Sequence, residues 1–368
     1  MRLLPAFLAL SCALAATATA QKPLAPAERV LIVTMDGVRW QEVFGGATRE
    51  LIAEKAGGVA DTTALLRRFW RESAQARRTA LMPFLWSTIA GEGKLLGDST
   101  AGSVVRITNG KWFSYPGYNE LLTGAADDRI DSNDKIPNPN ISVLEWLNRR
   151  AGFQDSVAAF ASWDVLPFIL NVERSGLPAN GDGPPVRDPR TDVERTMNDL
   201  AALLPPYWGN VRFDAVTMQG ALHYLQTRKP RVLYVMLGDT DEWAHERRYD
   251  LYLDAANRGD RFLKILWESV QAMPEYRGKT ALLVATDHGR GAGDDWTDHG
   301  KKVPAAERIW FGLLGPGLVS SDGNGKSSAG NQGSFTQSQF AATIAAALGL
   351  AAEFRKENPK AAAALRIP

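Results

Sequence analysis

ALLVATDHG, residues 281–289, is the stretch on which the fold turns. Its first six residues carry no charge, are rich in β-formers, and lack the alternation of a half-exposed strand. Strands buried on both faces of a parallel sheet have this texture. The run then meets an aspartate and a histidine. Two other stretches read the same way: VLIVTM at 30–35 runs into Asp36, and VLYVML at 232–237 into Asp239 and Asp241. Open α/β sheets bind ligands beyond the carboxyl ends of their strands, so three acid-tipped strands predict one convergent site.

Helix-patterned stretches lie between these runs, at 143–150, 190–204, 213–226 and 249–271. The expected fold class is therefore α/β, a largely parallel central sheet with helices on both faces. The apolar run at 309–314 predicts another strand. The Gly/Ser/Asn-rich segment 315–334 predicts a surface loop, and 335–350 a closing helix. No internal repeat is present. Residues with site chemistry extend from Asp36 to His299, so a single catalytic domain over 21–368 is expected. Its Pro/Gly-rich stretch 176–189 belongs to a cap or insertion near 165–210.

Composition narrows the partners. The 368 residues are 45% hydrophobic and carry 42 basic against 41 acidic side chains, an ordinary globular balance. Residues 1–20, MRLLPAFLALSCALAATATA, pair an early Arg2 with an apolar stretch and an Ala18-Thr19-Ala20 ending, the pattern of a cleaved secretory signal. The mature chain is expected to start near Gln21, and its location to be periplasmic or secreted. A lipoprotein reading through Cys12 is weaker, because Ala9 stands where leucine is expected. Discounting Arg2 leaves 41 charges of each sign, so there is no electrostatic case for a nucleic-acid or anionic-membrane partner, and a small substrate is expected. Cys12 is the only cysteine, which excludes disulfides and cysteine-held zinc from the mature chain. No later apolar run reaches the ~18 residues of a membrane span.

TDHG occurs twice, at 286–289 and 297–300, in a chain with four histidines. Hydrolytic zinc sites draw on His and Asp, and a metal pair ~4 Å apart needs about six or seven protein ligands from several strand tips. Asp241 and His245, four apart in DTDEWAH, fall on one side of a helical turn. His288 follows Asp287 at a strand end, and His299 sits in the loop GRGAGDDWTDHG. Each piece alone is unremarkable: Asp36-Gly37 reads as a turn, and Asp294, Asp295 and Asp298 as solvated turn residues. Asp239 competes with Asp241 as a ligand, at a less favourable spacing. His223, inside MQGALHYLQTRK, reads as structural. A nucleophile is offered by FSYPGYNELLTG at 113–124, where Ser114 stands just before a helix with Pro116 in its first turn. Free N–H groups and the helix dipole make that end a receptor for phosphate.

Taken in order, TMDG, SYPGYNELLTG, DTDEWAH, TDHGRG and DHG resemble the alkaline phosphatase superfamily, and within it the nucleotide pyrophosphatase/phosphodiesterase branch. The resemblance implies a two-zinc phosphoric ester hydrolase, a phosphatase or phosphodiesterase, working through a phosphoserine; other divalent metals are compatible. By motif, one zinc would be held by Asp241, His245 and His299. The other would be held by Asp36, Asp287, His288 and the oxygen of Ser114. An asparagine following the nucleophile helix would hold a phosphoryl oxygen, with Asn133 the first candidate and Asn138 the second. Trp40, Trp112, Trp243 and Trp296 flank the motifs, as core residues or as walls of an apolar leaving-group pocket.

Departures bear on the substrate. The phosphodiesterase branch usually has Thr-Phe-Pro-Asn where this chain has Ser114-Tyr-Pro-Gly, and serine is usual in phosphomonoesterases, so monoester and diester both stay open. Sulfatases need x-Pro-x-Arg after the nucleophile; Tyr118 stands at the arginine place, and a single acid, Asp36, replaces their Asp-Asp. A metal-dependent phosphomutase shares the implied site, but its substrates are cytosolic and the leader argues against it. A non-catalytic metal or phosphate binder is at odds with a complete ligand set beside a serine.

Overall fold

The computed structural model describes residues 24–319 and 333–365. The stretch 1–20 expected to be a leader and most of the Gly/Ser/Asn-rich segment lie outside the described residues. The central sheet has the strand order β2 (Lys94–Leu96), β9 (Phe311–Leu314), β7 (Thr280–Ala285), β1 (Arg29–Met35), β6 (Val232–Leu237), β4 (Val157–Ala161), β5 (Ala179–Asn180). β1 pairs in parallel with β6 and β7, β4 in parallel with β6 and β5, and β9 runs antiparallel to β7 and β2. A small second sheet joins β10 (Gly333–Thr336), β3 (Ser103–Arg106) and β8 (Arg308–Ile309). The class is α/β with a mostly parallel sheet, as expected.

The unalternating runs are explained by two cores, one on each face. Val30 and Ile32 of β1 enter one apolar cluster, and Leu31, Val33 and Met35 the other. β6 and β7 divide their residues likewise, with Tyr234 and Leu283 on the first side and Val235 and Val284 on the second. Each such side chain contributes about 1.5–3 kcal/mol on burial, and a polar group on these strands needs a partner, as the hydroxyls of Thr34 and Tyr234 have in each other at 3.0 Å. The first face is covered by helices Ser114–Thr123, Val143–Asn148 and Gln339–Ala347, the second by Asp214–Arg228 and the long helix Tyr249–Ala272. No helix among the described residues is long and apolar enough to cross a membrane.

Register places the site. Met35 pairs with Leu237 and Thr34 with Ala285, so the three acid-tipped strands are the adjacent central ones and end level. Asp36, the turn after β6, and Asp287 therefore emerge side by side.

Several expectations are corrected. The run at 309–314 is two strands: Ile309 ends β8 in the small sheet, and β9 belongs to the central one. Between them Trp310 is fully buried and donates its indole N–H to the Val38 carbonyl at 2.9 Å, which anchors the switch. The segment 335–350 begins as strand, with Phe335 in β10, and its helix starts at Gln339. β4, VAAFA, was not foreseen because alanine carries no strand signal, although every residue in it is buried. The Pro/Gly stretch at 176–189 contributes β5 to the sheet edge. The following helix, Asp192–Ala202, is held by a Thr191/Glu194 capping box and has no buried residue.

Candidate active site

Helix Ser114–Thr123 is fixed by contacts outside the site. Glu120, fully buried within it, accepts the N–H of Thr108 (3.0 Å) and of Asn109 (2.9 Å) and the hydroxyl of Ser338 (2.7 Å), tying the helix to the loop after β3 and to the start of helix Gln339–Ala347. Gly117 lies against the end of β7, where a Cβ would stand 2.5 Å from the Asp287 carbonyl oxygen. Ser114, the first helical residue, is thereby pressed onto the strand tips, its Oγ 3.4 Å from His288 Nε2. It makes no capping bond.

Two sets of donors converge there. Nε2 of His288 lies 3.3 Å from Asp36 Oδ1 and 3.5 Å from Asp287 Oδ2. His288 Nδ1 lies 3.0 Å from the Gly289 carbonyl, which can only accept, so Nδ1 carries the proton and Nε2 keeps its lone pair. In the second set, His245 Nε2 lies 3.1 Å from Asp241 Oδ2 and 3.1 Å from His299 Nε2. The i, i+4 spacing acts as expected: Asp241 and His245 share a side of helix Asp239–His245. The two sets adjoin, with His288 Nε2 3.5 Å from Asp241 Oδ1 and the His288 and His299 rings stacked at 4.0 Å.

Two trios close up enough to hold a divalent cation, Asp36, Asp287 and His288 in one and Asp241, His288 and His299 in the other, with His288 common to both and His245 3.1 Å from His299. Neighbouring donors on a tetrahedral ion at ~2.0–2.2 Å stand roughly 3.3–3.5 Å apart, close to the spacings found. Asp36 Oδ1 and Asp287 Oδ2 are buried with no hydrogen-bond partner, and buried carboxylate oxygens are not normally left bare. Their other oxygens are held, Asp36 Oδ2 by the Tyr118 hydroxyl at 2.9 Å and Asp287 Oδ1 by the Gly37 N–H at 3.2 Å. Burial, and then the charge of Asp241, lifts the Asp36 carboxyl well above the usual range; burial, and then Asp36, does the same to Asp287. Asp241 is also penalised by burial, but Arg290 and His245 hold it well below the usual range. Burial, aided by His288, pushes His299 down to about 2, so its ring is a neutral donor.

Arg290, fully buried, directly follows the first TDHG, yet no local pattern marks it as part of the site. Its guanidinium bonds the Asp241 carboxylate, the Asp241 carbonyl at 3.1 Å, and the Thr297 carbonyl, linking the ligand helix to the loop that delivers His299. Gly37, in the left-handed region at φ 61°, makes room: a Cβ there would stand 2.7 Å from Asp241 Oδ1.

A cavity of about 200 Å³ opens over both donor sets, lined by Ser114, Asn133, Trp163, Asn210 and Glu242 among others. Asn133 reaches it and accepts the Tyr115 N–H at 2.9 Å. Asn138 does not: it is buried, donates to Asn119 at 3.1 Å, and accepts the Asn140 N–H at 2.9 Å, so its expected role in substrate binding is corrected to a structural one. Asp239 also points elsewhere, accepting the Asp214 N–H at 2.8 Å and pairing with Arg258 at 3.3 Å. None of Trp40, Trp112, Trp243 and Trp296 lines this cavity; the tryptophan that does is Trp163, two residues past β4. Trp296 is fully buried against Tyr249 and Tyr252. Asp298 is exposed, and His223 pairs with Glu194 at 2.8 Å, away from the site. Burial, with Asp241 behind it, lifts Glu242 to about 7.

No family model matches the chain, and no curated protein matches it. Solved structures do. Alkaline phosphatase from the Antarctic bacterium TAB5 superposes with a TM-score of 0.50 at 11% identity, over 89% of this chain and 99% of that one. Lipoteichoic acid synthase LtaP from Listeria monocytogenes gives 0.50 at 11% identity, over 88% and 73%. Ps i-CgsB, in complex with k-i-k-neocarrahexaose, gives 0.50 at 14%, over 94% and 75%. At such identities the likeness establishes the fold, which is alkaline-phosphatase-like.

Proposed function

We propose that this chain is a two-zinc phosphoric ester hydrolase that works through a phosphoserine at Ser114. The observation that carries the reading is the convergence of six His and Asp donors on one side of Ser114 Oγ, with two buried carboxylate oxygens left without partners. Asp36, Asp287, His288 and Ser114 would hold one ion, and Asp241, His245 and His299 the other. Bound there, the ions supply the positive charge that polarises phosphoryl oxygens and makes the serine hydroxyl and the incoming water more acidic.

The chain's own residues do the rest. Ser114 stands at the first position of a ten-residue helix, so its Oγ and the positive end of the helix dipole meet a phosphoryl group together. A bond forms from Oγ to phosphorus as the ester oxygen departs in line, leaving an alcohol and phosphorylated Ser114. Water then cleaves the Oγ–P bond, releasing phosphate or, from a diester, a phosphomonoester. Asn133, on the rim beside the helix, is placed for a non-bridging oxygen. Tyr118, bonded to Asp36, stands where a sulfatase needs arginine, which favours phosphate over sulfate esters. The leader at 1–20 supports export.

The test is kcat/KM on zinc-loaded protein for matched aryl phosphate, alkyl aryl phosphate diester and aryl sulfate, with intact mass during turnover. Phosphate ester cleavage with an 80-Da adduct on Ser114 is expected, an adduct mass that follows from the chemistry of phosphorylation. Sulfate ester preference would favour a sulfatase-like enzyme. Binding without turnover of any ester would favour a metal or phosphate binder.

A further inference from the structure

The active-site cavity, at about 200 Å³, has room for little beyond a phosphoryl group and its ligands. One of its walls is shared. Asn210 and Val211 also line a second cleft of about 450 Å³, open to solvent, which continues away from the metal centre. The cleft is apolar along most of its length, with Ala202, Leu204, Pro206, Trp208, Phe213 and Val216 among its walls. It is floored by the buried Trp208, which stacks edge-on against Trp243 at 4.7 Å.

The outer wall is built at a cost. It is the end of helix Asp192–Ala202 and the turn after it, where Leu200, Leu203 and Leu204 are 61, 80 and 42% exposed. Scattered exposed leucines are ordinary, but Leu204 lines the cleft itself, and an apolar cleft that shares a wall with the Ser114 cavity is the arrangement of a binding groove. No cation reaches far into it: Arg212 is committed to Thr217 at 3.0 Å and to the carbonyls of Gly183 and Asn180.

We infer that this cleft receives an apolar organic arm of the phosphate ester, so that the substrate class is phosphoesters of apolar alcohols, alkyl or aryl. The inference rests on the proposed hydrolase reading and names the substrate of that same site. The wall shared through Asn210 and Val211 sets the cleft directly beside the phosphate position over Ser114, within reach of an arm of the same ester. Ser162, Asp164, Asp182, Asn198 and Asn210 also line the cleft, so hydroxyls of a sugar or nucleoside arm find partners at those points alone, and the larger apolar share of the walls favours alkyl and aryl arms.

The experiment measures binding, because alkylphosphonates present a phosphoryl head on an arm that is not cleaved. Methyl-, butyl- and octylphosphonate are titrated calorimetrically into zinc-loaded protein, alongside Ala202→Trp and Leu204→Asp, two changes at solvent-open positions outside the metal centre. Affinity is expected to rise about fourfold per methylene from methyl to butyl, the worth of a buried CH₂. Ala202→Trp should leave methylphosphonate binding unchanged and remove most of the chain-length gain, and Leu204→Asp should halve that gain or more. Equal affinity for all three phosphonates, or a gain that survives both variants, overturns the inference while methylphosphonate binding keeps the metal centre as a phosphate site. A chain-length gain abolished by Ala202→Trp, with no zinc dependence, upholds the apolar cleft and removes the hydrolase reading instead.

Discussion

Nε2 of His245 and Nε2 of His299 lie 3.1 Å apart although 54 residues separate them. One stands at the end of the short helix after β6, the other on a loop beyond β7, and Arg290 braces both segments by bonding Asp241 and the Thr297 carbonyl. Two ring nitrogens face each other with Asp241 beside them, an arrangement that a shared cation stabilises and an empty site does not.

His245→Ala should therefore lose one metal ion per chain, and Asp287→Asn the other, each leaving a protein with about one ion bound. Metal content by mass spectrometry after dialysis checks both. Full activity with less than one ion per chain after chelator would end the two-metal reading.

Ser114→Ala should keep its metals, since Asp36, Asp287 and His288 remain, and lose turnover of aryl phosphate by more than about 10³-fold. With His299→Ala, aryl phosphate should give a burst of about one aryl alcohol per chain and trapped phosphoserine, because a good leaving group needs little help while the attacking water still does. Rapid quench and peptide mapping read this out; slow linear turnover with no trapped phosphate contradicts it.

Asp241→Asn should cost metal and activity, whereas Asp239→Asn should cost about 1–3 kcal/mol of stability and leave metal content intact, because Asp239 is engaged by the Asp214 N–H and Arg258. Denaturant unfolding and metal analysis on the same two proteins separate these effects. The reverse ranking would move the ligand assignment.

Proton release on zinc binding should depend on pH. Without metal, the Asp36 and Asp287 carboxyls sit well above the usual range through burial, with the charge of Asp241 added at Asp36 and that of Asp36 at Asp287, so they hold protons at a pH where ordinary carboxylates have lost them. Asp241 is held ionised and His299 neutral, so neither has a proton to give. Zinc must displace the protons on the first pair. Just above the ordinary carboxylate range zinc binding should release protons, and affinity should rise with pH until both carboxyls ionise unaided. Calorimetry in buffers of different ionisation heat measures the release, and Asp287→Asn should lower it.

Glu42→Ala should destabilise the fold by about 3–5 kcal/mol, because it strands the buried Arg39 that Glu42 neutralises and orphans the hydroxyls of Thr48 and Tyr249. Arg39 also donates to the Gly291 carbonyl at 3.0 Å, so loss of metal affinity should accompany the fall in Tm.

What could be read from the sequence was whatever is encoded locally. Unalternating runs ending in acid report strands buried on both faces, and an i, i+4 Asp/His pair reports one side of a helical turn; neither depends on distant residues. The strands 232–237 and 30–35 and the helices around 214–228 and 249–272 were legible for that reason, each to within a residue or two at its ends. The small second sheet was not, because β3, β8 and β10 are short and take their conformation from pairing with one another across more than 200 residues.

The tertiary structure decided the rest by setting direction. Asn133 and Asn138 are equivalent as letters in one loop, yet one faces the cavity and the other is spent on Asn119 and Asn140. Asp239 and Asp241 differ by two positions on one helix, which turns their side chains apart, one toward Arg258 and the other toward His245. Arg290, Trp163 and the Asn210–Val211 wall carry no local pattern at all. Residue types and spacings determine which groups are available, while the vector of each side chain is fixed only when strand register, helix packing and buried hydrogen bonds are satisfied together.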